Sequence, residues 1–189
     1  FTILDSDDQL KVIRDICKDL DIPKQYAPNL FRAYISSAKN LLQTPAQLNV
    51  GLDGYIHDLV QQVYTRYQNF IYKQSSVDFD DLLMLPIKLF EAFPEVLEKY
   101  RQLWKYILVD EYQDTNQAQY MFLHMLASHR NLFVVGDDAQ SIYGFRGSNI
   151  ANILNFEKDF SDSLVVKLEQ NYRSSKNILA AAQKVIELN

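Results

Sequence analysis

The stretch KYILVDEYQDTN, residues 105–116, decides the fold predicted for this chain. Its apolar run Ile107–Val109 leads into two adjacent acids, Asp110 and Glu111, and Asp114 follows closely. A short aliphatic run that ends in charge is typical of a buried parallel strand whose carboxyl end opens into a site. Ligands of open α/β sheets bind at the carboxyl ends of strands, so this stretch is the candidate active site.

Two later segments have the same character. Leu132–Val135 is predicted to be a strand that ends in Gly136 and Asp137, and Leu164–Leu168 is predicted to be a strand that leads into Tyr172 and Arg173. The helices predicted around them are Asn116–His129, Asn149–Phe156 and Lys176–Leu188. Strands that alternate with helices imply an α/β fold with a parallel sheet and right-handed crossovers.

The first part of the chain is predicted to be entirely helical. Apolar spacing and capping residues predict helices over Asp5–Leu20, Ala27–Leu42 and Tyr55–Gln74. Lysines on these helices, such as Lys39, are expected to be solvated. A boundary at Ser75-Ser76 would divide the chain into residues 1–75 and residues 76–189. Asp78 is then predicted to cap a helix that Pro86 kinks or breaks.

Composition excludes several classes of protein. No apolar run approaches the ~20 residues that a membrane span needs, and one cysteine cannot form an internal disulfide or a cysteine-rich zinc site. These features predict a cytoplasmic protein. The net charge of −5 makes the chain a poor general polyanion binder. Any contact with nucleic acid would therefore depend on local basic groups and on aromatic stacking.

The first strand end suits a cation and a water. Asp110 is placed to hold Mg²⁺, which takes one or two carboxylates together with phosphate oxygens. Glu111 is a candidate to orient or deprotonate an attacking water. The alternative is an acid pair that is merely solvated.

The second strand end, GDDAQSIYGFRGS at residues 136–148, adds an amide and aromatic rings. Gln140 can hydrogen-bond both a phosphate oxygen and a water. Tyr143, Phe145 and Arg146, flanked by glycines, suit stacking on unpaired bases. The alternative is a loop whose aromatic rings fold back onto the core.

The third strand end offers a ring and a cation. Tyr172 could stack on a purine, and Arg173 could stabilise phosphoryl charge. A structural ion pair between Arg173 and Glu169 explains the pattern equally well.

Together these segments carry a family resemblance. VDEYQDTN (109–116), VVGDDAQSIYGFRGS (134–148) and LEQNYRSS (168–175) resemble three consecutive signature motifs of the superfamily 1A DNA helicases of the UvrD/Rep/PcrA type. VDFDDLL (77–83) is similar to the segment that re-enters the first motor domain in that family. The resemblance implies a partial RecA-like P-loop NTPase sheet over residues 76–189. This part would be similar to the first motor domain of the family, 1A, and its last segment would lie at the junction to the second motor domain, 2A. It also implies that residues 1–75 are similar to the helical subdomain that is inserted into the first motor domain, called 1B.

The resemblance implies roles for the residues at a nucleotide site. Asp110 would coordinate Mg²⁺, Glu111 would be the catalytic base for ATP hydrolysis, and Gln140 would sense the γ-phosphate. Tyr172 would stack on adenine, and Arg173 would act as the arginine finger.

For DNA, the resemblance implies that Tyr143 and Phe145 stack on single-stranded bases. The family often has Trp at the position of Phe145, so stacking there would be weaker. Arg146 would link the DNA site to the nucleotide site. Gln113, Asp114 and Asp137 are motif members with supporting roles.

One departure is informative. The sequence contains no G-x-x-x-x-G-K-[ST] phosphate loop, and the later motifs of the family are also absent. We therefore expect a central piece of a larger motor, with the phosphate loop upstream of Phe1 and no appreciable ATP hydrolysis by the piece alone. The motor would move 3′ to 5′ on single-stranded DNA and unwind junctions with duplex DNA in repair or replication.

Three alternatives remain at this point. The chain could be the helicase part of a recombination helicase–nuclease, or a non-catalytic nucleic-acid-binding or structural module. It could also be a two-metal nuclease built from a cluster of acids, namely Asp110, Glu111, Asp114, Asp137 and Asp138.

Overall fold

The structure is a computed structural model that describes residues 1–52, 54–141 and 147–187. It is a mixed α/β fold, mostly helical, with two small parallel sheets. The strands are β1 (Thr2–Leu4), β2 (Ser76–Asp78), β3 (Ile107–Val109) and β4 (Leu132–Val134). The helices are α1 (Ser6–Asp19), α2 (Pro28–Asn40), α3 (Gly54–Lys73), α4 (Asp81–Ala92), α5 (Pro94–Leu103), α6 (Gln117–Leu126), α7 (Ala151–Leu154), α8 (Phe156–Asp159) and α9 (Lys176–Ile186).

Helices α1 to α3 form a bundle with its own core. Asp5 caps α1, since its Oδ1 accepts the backbone N–H groups of Asp7 and Asp8 at 2.9 Å. Pro28 occupies the first turn of α2, where a missing N–H has no cost. The three helices begin and end close to the predicted residues. Their inward faces bury a continuous apolar cluster that includes Ile13, Phe31, Ile35, Val60, Val63 and Ile71.

The two ends of the bundle meet in one ribbon. Strand β1 pairs with β2 in parallel, with Thr2 opposite Ser76 and Leu4 opposite Asp78. The sequence reading did not predict either strand, because each is three residues long and the pairing is non-local. The chain therefore enters and leaves the helical block at neighbouring positions.

A buried ionic cluster joins the bundle to α4. Lys39 Nζ lies 2.6 Å from Asp78 Oδ2 and 2.8 Å from Asp81 Oδ1, and all three side chains are at most 2% exposed. Tyr67 donates its hydroxyl to Asp78 Oδ2 at 2.9 Å. The expectation that Lys39 is solvated is wrong, because its acidic partners lie far away in the sequence and no local pattern reveals them.

The same cluster sets where α4 begins. Asp78 Oδ1 accepts the backbone N–H of Asp81 at 2.9 Å from its place in β2. Asp78 thus satisfies a donor of the first helical turn, but the N-cap is Asp80 and the helix starts at Asp81, two residues later than predicted. Burial raises the pKa of Asp81, and Lys39 opposes that shift only in part. Burial and the neighbouring carboxylate of Asp78 also raise the pKa of Tyr67.

We expect Lys39→Met to destabilise the chain by about 3–5 kcal/mol, because it leaves two buried carboxylates without their cation. Urea unfolding of the chain, followed by circular dichroism, measures the loss. Lys18→Met is the matched control: Lys18 pairs with Asp15 at 3.3 Å, but their side chains are 70% and 61% exposed. It should cost less than about 1 kcal/mol. Equal losses for the two variants would contradict the importance of the buried cluster.

Strands β3 and β4 form the second parallel pair, with Ile107 opposite Leu132 and Leu108 opposite Phe133. Ile107 packs into a core with residues of α4, α5 and α6, including Phe90, Leu97 and Leu126. The other face is open: Leu108 is 74% exposed and Phe133 is 61% exposed. The predicted burial on both faces is therefore wrong, because no described residues cover Leu108 and Phe133 enough to exclude solvent.

The predicted third strand is also absent from the described structure. Residues 164–168 form no strand ladder, and Leu164 and Leu168 are 88% and 85% exposed. A strand needs a neighbouring strand for its backbone hydrogen bonds. No described strand pairs with residues 164–168. The apolar run alone could not reveal this lack of a partner.

Two helical predictions need correction, namely a break at Pro86 and a single helix over Asn149–Phe156. Pro86 lies inside α4, which continues from Asp81 to Ala92 without a break. The hydrogen bond that Pro86 cannot donate would go to the carbonyl of Leu82, a residue exposed enough for water to replace it. The helix predicted over Asn149–Phe156 is instead the two short helices α7 and α8.

None of the helices in the described ranges combines the length and the apolar character that a membrane span requires.

Candidate active site

A tight turn after β3 presents the acid pair. Asp110 Oδ1 accepts the backbone N–H of Glu111 at 2.9 Å. Glu111 has φ +52° and ψ +42°, in the left-handed region that residues other than glycine rarely adopt. Both acids are exposed, and a 3₁₀ turn over Tyr112–Asp114 follows them. The strand end therefore delivers two carboxylates from a constrained backbone to the protein surface.

The turn after β4 holds an amide next to an acid. Asp137 Oδ1 accepts the backbone N–H of Ala139 at 3.0 Å and caps the 3₁₀ turn Asp138–Gln140. Gln140 donates its Nε2 to Asp137 Oδ2 at 2.7 Å. One N–H of the Gln140 amide is thus held by an acid, and its second N–H is left for another acceptor.

Arg173 is held by a turn of its own. Asn171 Oδ1 accepts the backbone N–H groups of Arg173 and Ser174 at 2.9 Å, which is typical of an Asx turn. Among the described ion pairs there is none that involves Arg173, so the predicted alternative of a pair with Glu169 is not formed. The guanidinium is available for a ligand.

These three turns surround one open pocket of about 290 Å³. Four of the residues predicted from the sequence line it: Asp110, Glu111, Gln140 and Arg173. The rest of its lining is Val135, Gly136, Asp137 and Asn171. Carboxylates, an amide and a guanidinium in one pocket suit a phosphate-bearing ligand that binds together with a cation.

Asp110 fits the cation. Its Oδ1 accepts a backbone N–H, and no contact in the described structure engages its Oδ2. Asp110 is also exposed and lines the pocket. A carboxylate oxygen at the rim of a phosphate-sized pocket is the kind of ligand that Mg²⁺ takes, with water and phosphate oxygens completing its coordination.

Other predicted residues lie elsewhere. Tyr172 is 92% exposed and does not line the pocket. Asp114 does not line this pocket but lines a neighbouring groove beside α6, which Asp110 and Glu111 also line. Across residues 1–52, 54–141 and 147–187, no three His, Cys, Asp or Glu side chains converge to form a metal site. The predicted DNA-contacting residues Tyr143, Phe145 and Arg146 fall outside the described residues.

Sequence reasoning undervalued two residues of the site. Gln113 received only a supporting role, yet its buried amide contacts Glu111. Asn171 received no role, yet it lines the pocket and fixes the turn before Arg173. An Asn two residues before an arginine is a turn signal that could have been used. No local pattern marks the contact of Gln113.

Comparison with known proteins shows the family of the chain. The family model of the UvrD/REP helicase N-terminal domain matches residues 1–161. The chain belongs to the UvrD/REP helicase family. It is of the UvrD/PcrA type within superfamily 1A, as the motifs at residues 109–116, 134–148 and 168–175 implied.

Curated relatives match over the whole chain. The chain is 52% identical to the ATP-dependent DNA helicase PcrA of Bacillus subtilis (strain 168). It is 50% identical to the protein of the same name from Staphylococcus aureus (strain Mu50 / ATCC 700699) and 48% identical to that of Staphylococcus epidermidis. Each match covers 100% of this chain and 26% of the relative. The chain therefore spans about a quarter of the length of these helicases.

Proposed function

We propose that this chain is part of an ATP-dependent DNA helicase that couples Mg²⁺-ATP hydrolysis to 3′-to-5′ movement on single-stranded DNA. The observation that carries the proposal is the pocket shared by Asp110, Glu111, Gln140 and Arg173. The helicase names of the relatives support it. Duplex unwinding at single-strand/double-strand junctions, in repair or replication, is the work that we assign to the longer protein.

Each residue of the pocket has a chemical task. Asp110 holds Mg²⁺, which neutralises phosphate charge when it is bound. Glu111 accepts a proton from the water that attacks the γ-phosphate. Arg173 donates to the oxygens on which charge develops, and its backbone is already fixed by Asn171.

Gln140 is suited to sense the γ-phosphate. Its Nε2 donates an N–H to Asp137 Oδ2 at 2.7 Å. A γ-phosphate oxygen could accept the second N–H of this amide. Such a bond would link nucleotide occupancy to Asp137 and to residues 142–146, which follow in the sequence.

DNA binding is proposed for residues 143–146 from the sequence. Tyr143 and Phe145 offer rings for base stacking, worth about 1–3 kcal/mol per base, and Arg146 offers a cation. Because the net charge of the chain is −5, attraction to DNA must be local. Tyr172, with its ring in solvent, is proposed to stack on adenine once ATP binds.

We propose that residues 1–75 form the 1B-like helical subdomain and residues 76–189 part of the RecA-like motor. Separate apolar cores on the two sides of this division support it, as does the β1–β2 ribbon that joins the two ends of the helical block. The phosphate loop would come from a part of the longer protein outside residues 1–189. A cytoplasmic location goes with this proposal, because ATP and DNA are found there.

The test uses the longer protein that we propose to contain this chain, called the full-length protein below. We expect single-stranded DNA to stimulate its ATP hydrolysis, and a duplex with a 3′ tail to be unwound in preference to one with a 5′ tail. Residues 1–189 alone should show neither activity.

Two outcomes would contradict the proposal. DNA binding without ATP hydrolysis by the full-length protein would indicate a non-catalytic module. Cleavage of DNA by residues 1–189 with Mg²⁺ would indicate a nuclease built from the acids of this chain.

A further inference from the structure

The side chain of Gln113 is a buried amide whose two ends are both engaged. Gln113 is 1% exposed. Its Nε2 donates to Glu111 Oε2 at 2.8 Å, and its Oε1 accepts the backbone N–H of Asp137 at 3.0 Å. A carboxylate can only accept and a backbone N–H can only donate, so these partners fix which end of the amide is which.

Glu111 needs such a partner. It is an exposed side chain on a left-handed backbone, and a solvated glutamate samples several rotamers. The contact with Gln113 engages Oε2 and leaves Oε1 without a protein partner among the described contacts. One oxygen is thereby anchored, and the other is left for a water in the pocket.

The other end of the amide is held by the turn after β4. A Cβ added at Gly136 would lie 2.7 Å from Gln113 Oε1 and 2.7 Å from Ile153 Cδ1. Only glycine leaves room for the amide there. The backbone N–H of Tyr112 also donates to the carbonyl of Val135 at 2.9 Å, which holds the two strand ends side by side.

The contacts form a continuous series across the pocket. Glu111 joins Gln113 at 2.8 Å, Gln113 joins Asp137 at 3.0 Å, and Asp137 joins Gln140 at 2.7 Å. The residue assigned as base and the residue assigned as γ-phosphate sensor are therefore connected through one buried amide. Movement of Asp137 when Gln140 binds a phosphate oxygen would be transmitted to the Glu111 carboxylate.

We propose that Gln113 is a positioning residue that aims the Glu111 carboxylate at the attacking water and couples this aim to the Asp137–Gln140 contact. This role rests on the proposed ATP hydrolysis. Gln113 itself touches neither the nucleotide nor the water. Its effect on the reaction must therefore pass through Glu111.

The test is a double-mutant cycle in the full-length protein, with ATP hydrolysis measured in the presence of single-stranded DNA. Gln113→Met keeps the length of the side chain and removes both hydrogen bonds. We expect kcat to fall about 10- to 100-fold, the range typical of groups that orient a reacting residue. KM for ATP should change less than about twofold, because the amide does not touch the nucleotide.

The same substitution in a Glu111→Gln background decides between positioning and general structural damage. If Gln113 acts through the Glu111 carboxylate, Gln113→Met should lower kcat less than about threefold once that carboxylate is gone. A loss of equal size in both backgrounds, or a rise in KM together with the fall in kcat, would overturn the proposal.

Two further variants guard against misfolding. Gly136→Ala displaces the amide without changing Glu111 or Gln113. It should lower kcat as Gln113→Met does when Glu111 is present, and it should have little effect when Glu111 is replaced by Gln. Gln102→Met is the matched control, because Gln102 is exposed and bonds only Glu98, on its own helix. It should leave kcat unchanged. Full activity of Gly136→Ala would count against the proposal.

The controls separate this inference from the proposed function. If the wild-type full-length protein hydrolyses no ATP, or if Glu111→Gln is fully active, the proposed function fails and the positioning role fails with it. If wild type is active and Glu111→Gln is not, additive effects in the cycle overturn only the role of Gln113.

Discussion

Glu111→Gln in the full-length protein is expected to bind ATP normally and to lose about 10²- to 10⁴-fold of its turnover. The amide keeps the size of the side chain and can still accept from Gln113, but it cannot take a proton from water. Asp110, Gln140 and Arg173 remain in place around the pocket, so nucleotide affinity should not change. Steady-state hydrolysis with single-stranded DNA gives the turnover, and titration with a fluorescent ATP analogue gives the affinity.

Glu157→Gln serves as the control for this substitution. Glu157 lies on the short helix α8, is exposed, and makes no described side-chain contact. Its variant should hydrolyse ATP at the wild-type rate. Turnover of Glu111→Gln within about threefold of wild type would show that another group, or water alone, removes the proton.

Arg173→Ala should lower turnover by about 10³- to 10⁵-fold, the range found for arginines that stabilise phosphoryl-transfer charge. The guanidinium lines the pocket that also contains Asp110 and Glu111, and no described carboxylate competes for it. Arg173→Lys keeps the charge and loses the planar fork, so it should recover only part of the rate. Single-turnover measurements separate this loss from any change in ATP binding.

Arg130→Ala is the matched control. Arg130 pairs with Asp162 at 2.9 Å on the surface and does not line the pocket. Its removal should change turnover less than about twofold, because exposed ion pairs contribute little. If Arg173→Ala also stays within that range, the cation that stabilises the phosphate must come from another part of the longer protein.

Much of the fold follows from local patterns. Asp5 and Pro28 mark the starts of α1 and α2, and apolar residues at helical spacing mark the faces that pack. The position of the acid pair at the end of β3 was predicted because an aliphatic run that ends in charge is itself a local signal. Local order and local chemistry determine these features, so one sequence is enough to find them.

The features that were missed or wrong depend on distant partners. Lys39 becomes buried because Asp78 and Asp81 come to it from another part of the chain. Leu164–Leu168 has the composition of a strand but no neighbouring edge to pair with. The contact of Gln113 with Asp137 depends on β3 and β4 lying side by side. Sequence patterns report the propensity of a segment for helix, strand or surface. In these three cases the outcome depends on a partner from another part of the chain.

The pairing of β1 with β2 makes the helical block a crossover connection between two parallel strands. Two parallel strands cannot be joined by a tight hairpin and need a crossover of a dozen residues or more. Residues 5–75 are that crossover, enlarged into a bundle with a core of its own. Loop-closure entropy grows only logarithmically with length, so doubling such a connection costs about 0.6 kcal/mol. The crossover could therefore be lengthened or rebuilt at little cost to the ribbon, provided that a cation still reaches Asp78 and Asp81.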